Sequence, residues 1–214
     1  MFLLDGAVVY SASDLTEAAG CEFAVLRRFD EVLGRLARRV VEPDAMQEYA
    51  ARLGDEHERR VLAQFAEAGS VHEVAMANTR DAASLRASHD DTIAALRSGV
   101  DVVFQGSFFD GRFHGRADFL VREPGTSTFA VYDTKLARHA KITALLQLAA
   151  YADQMIGAGV SPAPEVHLIL GDGSTTTHRL ADLLPVYRVR RARLEEILAE
   201  HRAASAPAAW GDPR

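Results

Sequence analysis

Apolar residues in the first half of the chain recur at helical spacing, and from Val100 onward the spacing shortens to two. Leu15, Ala18, Ala19, Phe23 and Leu26 fall near one stripe of a helix over Ser11 to Phe29, opened by a Ser11-x-x-Asp14 capping box. A second helix starts after Pro43-Asp44, carries Met46, Tyr49, Leu53, Val61, Leu62 and Phe65, and ends near Gly69, with His57 in its middle. A third covers Thr79 to Arg97 and stops before Gly99. Val100 to Phe109 then favours a strand, and Asp110-Gly111 is a two-residue hairpin signal. Arg112 to Val121 and Thr128 to Leu136 alternate as two further strands around the turn at Pro124-Gly125. The pattern returns to helix over Ala140 to Ile156, then gives a buried strand over Val166 to Leu170 and another over Thr175 to Leu180, followed by a closing helix from Leu183 to Arg202. Ala203 to Arg214, rich in Ala and Pro, reads as a flexible tail. Helices, three antiparallel strands, a helix and a further strand predict an α/β chain with a mixed central sheet.

Period two decides which side chains can meet. Arg112, His114, Arg116, Asp118 and Leu120 share one face of their strand, and Phe129, Val131, Asp133 and Lys135 share one face of the next. A hairpin centred on Pro124 to Thr126 sets Leu120 opposite Val131, Asp118 opposite Asp133 and Arg116 opposite Lys135. Two carboxylates then face each other with β-carbons about 4.5–5.5 Å apart, which destabilises a sheet unless something neutralises them. A divalent cation is the simplest neutraliser, and hard carboxylate oxygens suit Mg²⁺ or Mn²⁺. Lys135, two residues beyond the second carboxylate, can reach a water or a phosphate oxygen there. Thr134 offers the site only its backbone carbonyl, because its side chain points to the other face. His114, on the Asp118 face, competes as an imidazole donor. On the following helix Gln147 and Tyr151 are four apart and make a polar stripe with Thr143.

Asp118 followed by Asp133-x-Lys135 resembles the signature of the PD-(D/E)xK nuclease superfamily. Three further features resemble its RecB-like branch, which includes CRISPR-associated exonucleases: Gln147-x-x-x-Tyr151, the helical His57 after Gly54, and Ser11-Ala12-Ser13-Asp14-Leu15 running on to Cys21. Together they span almost the whole chain. The resemblance implies an αβββαβ restriction-endonuclease-like core over residues 100–202, a helical part over 1–99 that contributes His57, and a tail over 203–214. It implies Mg²⁺ or Mn²⁺ held by His57, Asp118 and Asp133, with Lys135 orienting the attacking water and Gln147 and Tyr151 contacting the DNA strand or ordering the site. It further implies single-stranded or end-containing DNA as partner, delivered by a fused or associated helicase motor, with this chain as the front of a longer protein. In several RecB-like nucleases a cysteine at the place of Cys21 joins three near the C-terminus around an iron–sulfur cluster. The sequence has one cysteine, so a cluster would need others beyond Arg214. The other reading of Cys21 is a small packing residue.

Composition narrows the field. A chain of 214 residues with 25% charged residues fits one globular domain with a sizeable core. No apolar run reaches membrane-spanning length and the start lacks a secretory pattern, which makes the expected setting cytoplasmic. A net charge of −6 argues against a protein that coats nucleic acid by charge alone. Basic residues nevertheless gather near the proposed site, with Arg116 and Lys141 as candidates for substrate binding. Gly171-Asp172-Gly173 is too short for a phosphate-cradling loop, which counts against an enzyme acting on a small phosphoester. Two readings stand: a metal-dependent DNA nuclease, of exonuclease type and acting in repair or processing, and a catalytically weak nucleic-acid-binding or assembly module of a larger helicase-nuclease. The intact Asp, Asp-x-Lys and Gln-x-x-x-Tyr set favours the first.

Overall fold

The structure, a computed structural model, describes residues 1–39 and 44–211. A short hairpin, β1 (Phe2–Leu4) and β2 (Ala7–Val9), leads into helices α1 (Ala12–Gly20), α2 (Glu22–Val32) and α3 (Ala45–Ala68). Then come β3 (Val71–Glu73), α4 (Ala82–Ser98), β4 (Val102–Phe109), β5 (His114–Arg122), β6 (Phe129–Lys135), α5 (Ile142–Gly157), β7 (Glu165–Leu170), β8 (Thr175–Arg179) and α6 (Leu180–Ala203). The six-stranded sheet runs in the order β3-β4-β5-β6-β7-β8. Strands β4, β5 and β6 form an antiparallel meander, whereas β3 pairs with β4, and β7 with β6, in parallel. The fold is thus mixed α/β.

Several expected elements are redrawn. The single helix from Ser11 to Phe29 is two, parted where Cys21 adopts an extended backbone at the end of α1. The predicted capping box is present, with Ser11 and Asp14 bonding each other's backbone N–H. Asp44 caps α3 through the Met46 N–H, while the preceding Pro43 lies outside the described residues. Strands β1, β2 and β3 lie outside the expected elements, since three residues are too few to establish a period. The tail is docked as far as it is described. Ala208 is buried and its N–H donates to Asp30 Oδ2 at 2.8 Å, and Trp210 packs edge-on against Phe23. Asp212 to Arg214 lie outside the described residues.

The larger core packs helices α1, α2, α4, α5 and α6 on one face of the sheet, and α3 covers the other through Val61, Leu62 and Phe65. Both central strands change face midway. Val103 and Phe108 of β4 lie in the same core although five residues apart, as do Ala117 and Leu120 of β5 although three apart. Strict alternation forbids both. The switch sits at Gln105, whose φ of 55° is left-handed, and at Asp118, which would pair with it in the β4–β5 register but is skipped. The expected common face from Arg112 to Leu120 therefore breaks at Asp118: Leu120 turns into the larger core, where it would meet a Cβ on Gly106 at 2.8 Å. Arg116 remains on the α3 side.

A polar clamp closes the molecule across its ends. Tyr10 pairs with Phe113 as a bridge beside β5, its carbonyl accepting from the His114 N–H at 2.9 Å, and its hydroxyl donates to Glu195 of α6. Arg191 bonds Glu195 at 3.1 Å and Asp110 at 2.8 Å, and Asp110 also accepts from Gln154 of α5 at 3.0 Å. Hairpin turn, N-terminal segment, α5 and α6 are thereby tied at one place.

The left-handed Gln105 sets a test of the face switch. A β-branched residue is poorly tolerated at positive φ, so Gln105→Val should cost about 1–3 kcal/mol in urea unfolding. Gln105→Gly should stay within about 1 kcal/mol of the parent, since it relieves the backbone while losing one side-chain bond. Equal losses in both variants would show that the backbone conformation is not what the position requires.

Candidate active site

The predicted hairpin register is the observed one, with Leu120 paired to Val131 and Phe119 to Tyr132, and the ladder between β5 and β6 ends there. One step further, Asp118 and Asp133 come together where the strands part, close enough for the charge of one to act on the other. The break has a local cause. Asp118 Oδ2 accepts the Thr134 N–H at 2.8 Å and the Thr134 hydroxyl at 2.9 Å, so a side chain takes the donor that a ladder would have used. Thr134 accordingly turns its hydroxyl toward Asp118 rather than to the opposite face. Beyond this point β6 is held by β7, with Asp133 beside Leu168 and Lys135 beside Leu170.

Asp133 is buried, at 3% exposure, and Lys135 Nζ lies 2.5 Å from its Oδ2 in ion-pair contact without good hydrogen-bond alignment. Burial, and then the charge of Asp118, push the Asp133 carboxyl up to about 7, against the pull of Lys135. Asp133 thus holds its proton more tightly than an exposed carboxyl, beside a second carboxylate and at the head of a lysine.

Helix α3 brings a residue that sequence reasoning passed over. Glu58, half-buried, accepts from the Gln105 amide, and its carboxyl is raised first by burial and next by the charge of Asp118. The side chain of the left-handed residue thereby holds a third carboxylate near the pair. Its neighbour His57, the expected donor, is buried one turn before Val61, and its Nε2 has no hydrogen-bond partner among the described residues. Among the described residues no three His, Cys, Asp or Glu side chains form a group placed to hold a metal ion, so His57 does not complete the pair into one. The signal for Glu58 was its position beside His57 on the helix, without anything in the sequence to choose between them.

The other expected residues divide. Arg116 is spent on structure: its guanidinium donates to the Val74 carbonyl at 3.2 Å and, weakly, to the Gln105 carbonyl at 3.5 Å. Tyr151 is buried between Phe108 and Phe113, its hydroxyl meeting the Arg116 backbone, and the charges of Asp133 and Asp118 add to burial in raising its phenol. It braces β5 and does not face solvent. Gly115 makes room for it, because a Cβ there would come within 2.8 Å of the Tyr151 ring. Gln147 and Lys141 line one cleft with Lys135, next to the carboxylates. His114 is packed edge-on to Phe2 at the start of β5, with burial lowering its basicity, and stands apart from the pair. Cys21 is exposed between α1 and α2.

The donor set fits a small hard cation. Two adjacent carboxylates, one of them buried with an oxygen that has no aligned hydrogen bond among the described residues, are groups that a divalent ion would satisfy together with water, Glu58 lying near them without completing a three-residue group. No protein-family model matches this chain, and no curated protein is significantly similar to it.

The raised Asp133 carboxyl gives a signed pH dependence. An unfolded Asp releases its proton near pH 4, whereas Asp133 holds it to about 7. Between those values the native state binds more protons, so this group's contribution is fully present below about pH 4 and is lost as pH rises to about 7. Asp133→Asn should remove that loss. Urea unfolding from pH 4 to 8 without divalent ions should show the variant gaining on the parent by on the order of a few kcal/mol across the window. Parallel curves would mean that Asp133 ionises at its ordinary value.

Proposed function

We propose that this chain is a divalent-metal-dependent nuclease of RecB-like type that hydrolyses phosphodiester bonds in DNA. The reading is carried by one observation: Asp118 and Asp133 meet where β5 and β6 separate, with Lys135 in contact with the second carboxylate. Further support comes from the order α4-β4-β5-β6-α5-β7, which has the form of an αβββαβ core.

Asp118 and Asp133 would hold Mg²⁺ or Mn²⁺, with Glu58 as an additional carboxylate. When bound, such an ion lowers the pKa of a coordinated water and offsets charge on the phosphate. Thr134 keeps Asp118 aimed inward by donating both its N–H and its hydroxyl to Oδ2. Asp133 must give up its proton to serve as a ligand, and Lys135 favours that loss electrostatically. Lys135, now in contact with Asp133, would with an ion bound there turn its ammonium toward the phosphate and stabilise charge developing on it. Tyr151 and Gly115 fix β5 beneath Asp118, so the two carboxylates keep their separation.

End-labelled single- and double-stranded DNA incubated with Mg²⁺ or Mn²⁺ should be degraded, with EDTA stopping the reaction. Because Lys135 acts mostly in the transition state, Lys135→Ala should lower cleavage by about a hundredfold or more while DNA affinity falls far less. Asp133→Asn should abolish cleavage and the stabilisation of the protein by Mn²⁺. A Lys135→Ala protein that cuts at the parental rate would refute this chemistry, and a parent that binds DNA without cutting under any of these metals would leave a binding module in its place.

A further inference from the structure

We propose that the cleft between the end of β6 and the start of α5 binds a phosphate group of the nucleic-acid strand, one position removed from the carboxylate pair. The cleft has a volume of about 150 Å³. Its polar lining comes from Lys135, His139, Lys141, Thr143 and Gln147, all able to donate, and among the described residues no carboxylate lines it. Leu168 and Ala144 give it an apolar floor that is buried. Cationic and neutral donors around a small cavity whose described lining holds no carboxylate select an anion, Lys135 sharing its charge with Asp133 and Lys141 having no ion pair among the described residues, and the cavity is of a size for a phosphate group.

The walls are built rather than incidental. Gly171 lies so close to the strand that a Cβ there would come within 2.6 Å of the Leu136 carbonyl, and its N–H donates to the Ala137 carbonyl at 3.2 Å. The backbone following Lys135 is thereby pinned against the end of β7. On the opposite wall α5 begins at Ile142 with no side chain capping it, and the Lys141 carbonyl already accepts from Ala144 and Leu145. Lys135 belongs to both places, since it lines the cleft and contacts Asp133. A strand whose scissile phosphate sat at the carboxylates would therefore meet the cleft with a neighbouring phosphate. The adjacency rests on the nuclease reading, but the binding does not.

The experiment measures binding without chemistry. Fluorescein-labelled single-stranded oligonucleotides are titrated with parent, Lys141→Glu and Lys141→Arg in EDTA over a range of salt. Lys141→Glu should weaken binding by about tenfold and lower the slope of log K against log salt by about one phosphate contact, with Lys141→Arg restoring both. An acidic residue at the start of a helix favours the helix, so the Glu variant should retain its fold, which thermal unfolding checks. Arg179→Glu, an exposed charge reversal at the end of β8, serves as control and should change affinity by less than about twofold. Repeating the titration with 5′-phosphorylated and 5′-hydroxyl strands separates the sources of the group. A preference for the phosphorylated end that disappears in Lys141→Glu assigns a terminal phosphate, and equal affinities with the same tenfold loss assign an internal one. Lys141→Glu losing no more affinity than Arg179→Glu would overturn the proposal. A protein that binds through Lys141 but never cuts sinks only the nuclease reading, and one that cuts without dependence of binding on Lys141 sinks only the cleft.

Discussion

Asp118 does the work of a missing strand segment. By accepting the Thr134 N–H and hydroxyl on one oxygen it satisfies backbone that the β5–β6 ladder has abandoned, and this lets the sheet open between two central strands without orphaning a buried donor. Everything at the candidate site follows from that substitution. The opening brings Asp133 against Asp118, whose charge adds to burial in raising the Asp133 carboxyl, and it lets β6 continue on β7 alone so that Lys135 projects beside the gap. The same place in β4 carries the left-handed Gln105, whose amide reaches α3 and holds Glu58. Strain in one strand and irregular bonding in its neighbour are therefore one feature seen from two sides.

The hairpin register was legible in the sequence because a turn at Pro124-Gly125 and a clean alternation on each side leave little freedom, and Leu120 does face Val131. The face switch was not legible. Gln105 gives no sign of positive φ, for which glycine or asparagine is the usual marker, and a period-two reading carries straight through it. The short strands β1 and β3 escaped for want of length, although Asp5-Gly6 between β1 and β2 is the same turn dipeptide recognised at Asp110-Gly111.

The site residues were legible in type but not always in duty. Asp118, Asp133 and Lys135 come together as their spacing implied. Arg116, a candidate for substrate binding, and Tyr151, expected to contact the strand or order the site, both turn inward because β5 needs filling and tying between two helical layers. A polar residue on a strand or helix does not announce whether a carbonyl inside the protein will claim it first. His57 and Glu58 show the same limit on a helix, where adjacent positions differ by about 100° and only the packed structure says which one faces the carboxylates.

The clamp around Tyr10 bears on how the chain reaches this state. Its hydroxyl partner, Glu195, lies 185 residues away in sequence, and Tyr10 is itself 2% exposed in the main core. The segment at the beginning of the chain thus cannot be sealed until α6 has been made. During synthesis at roughly 5–20 residues per second, the early hairpin would wait on the order of ten seconds or more for its partner. Closing so long a loop carries a larger entropic cost than pairing β4, β5 and β6, whose contacts are local in sequence, so the N-terminal bridge and the meander stand at opposite ends of the chain's contact range.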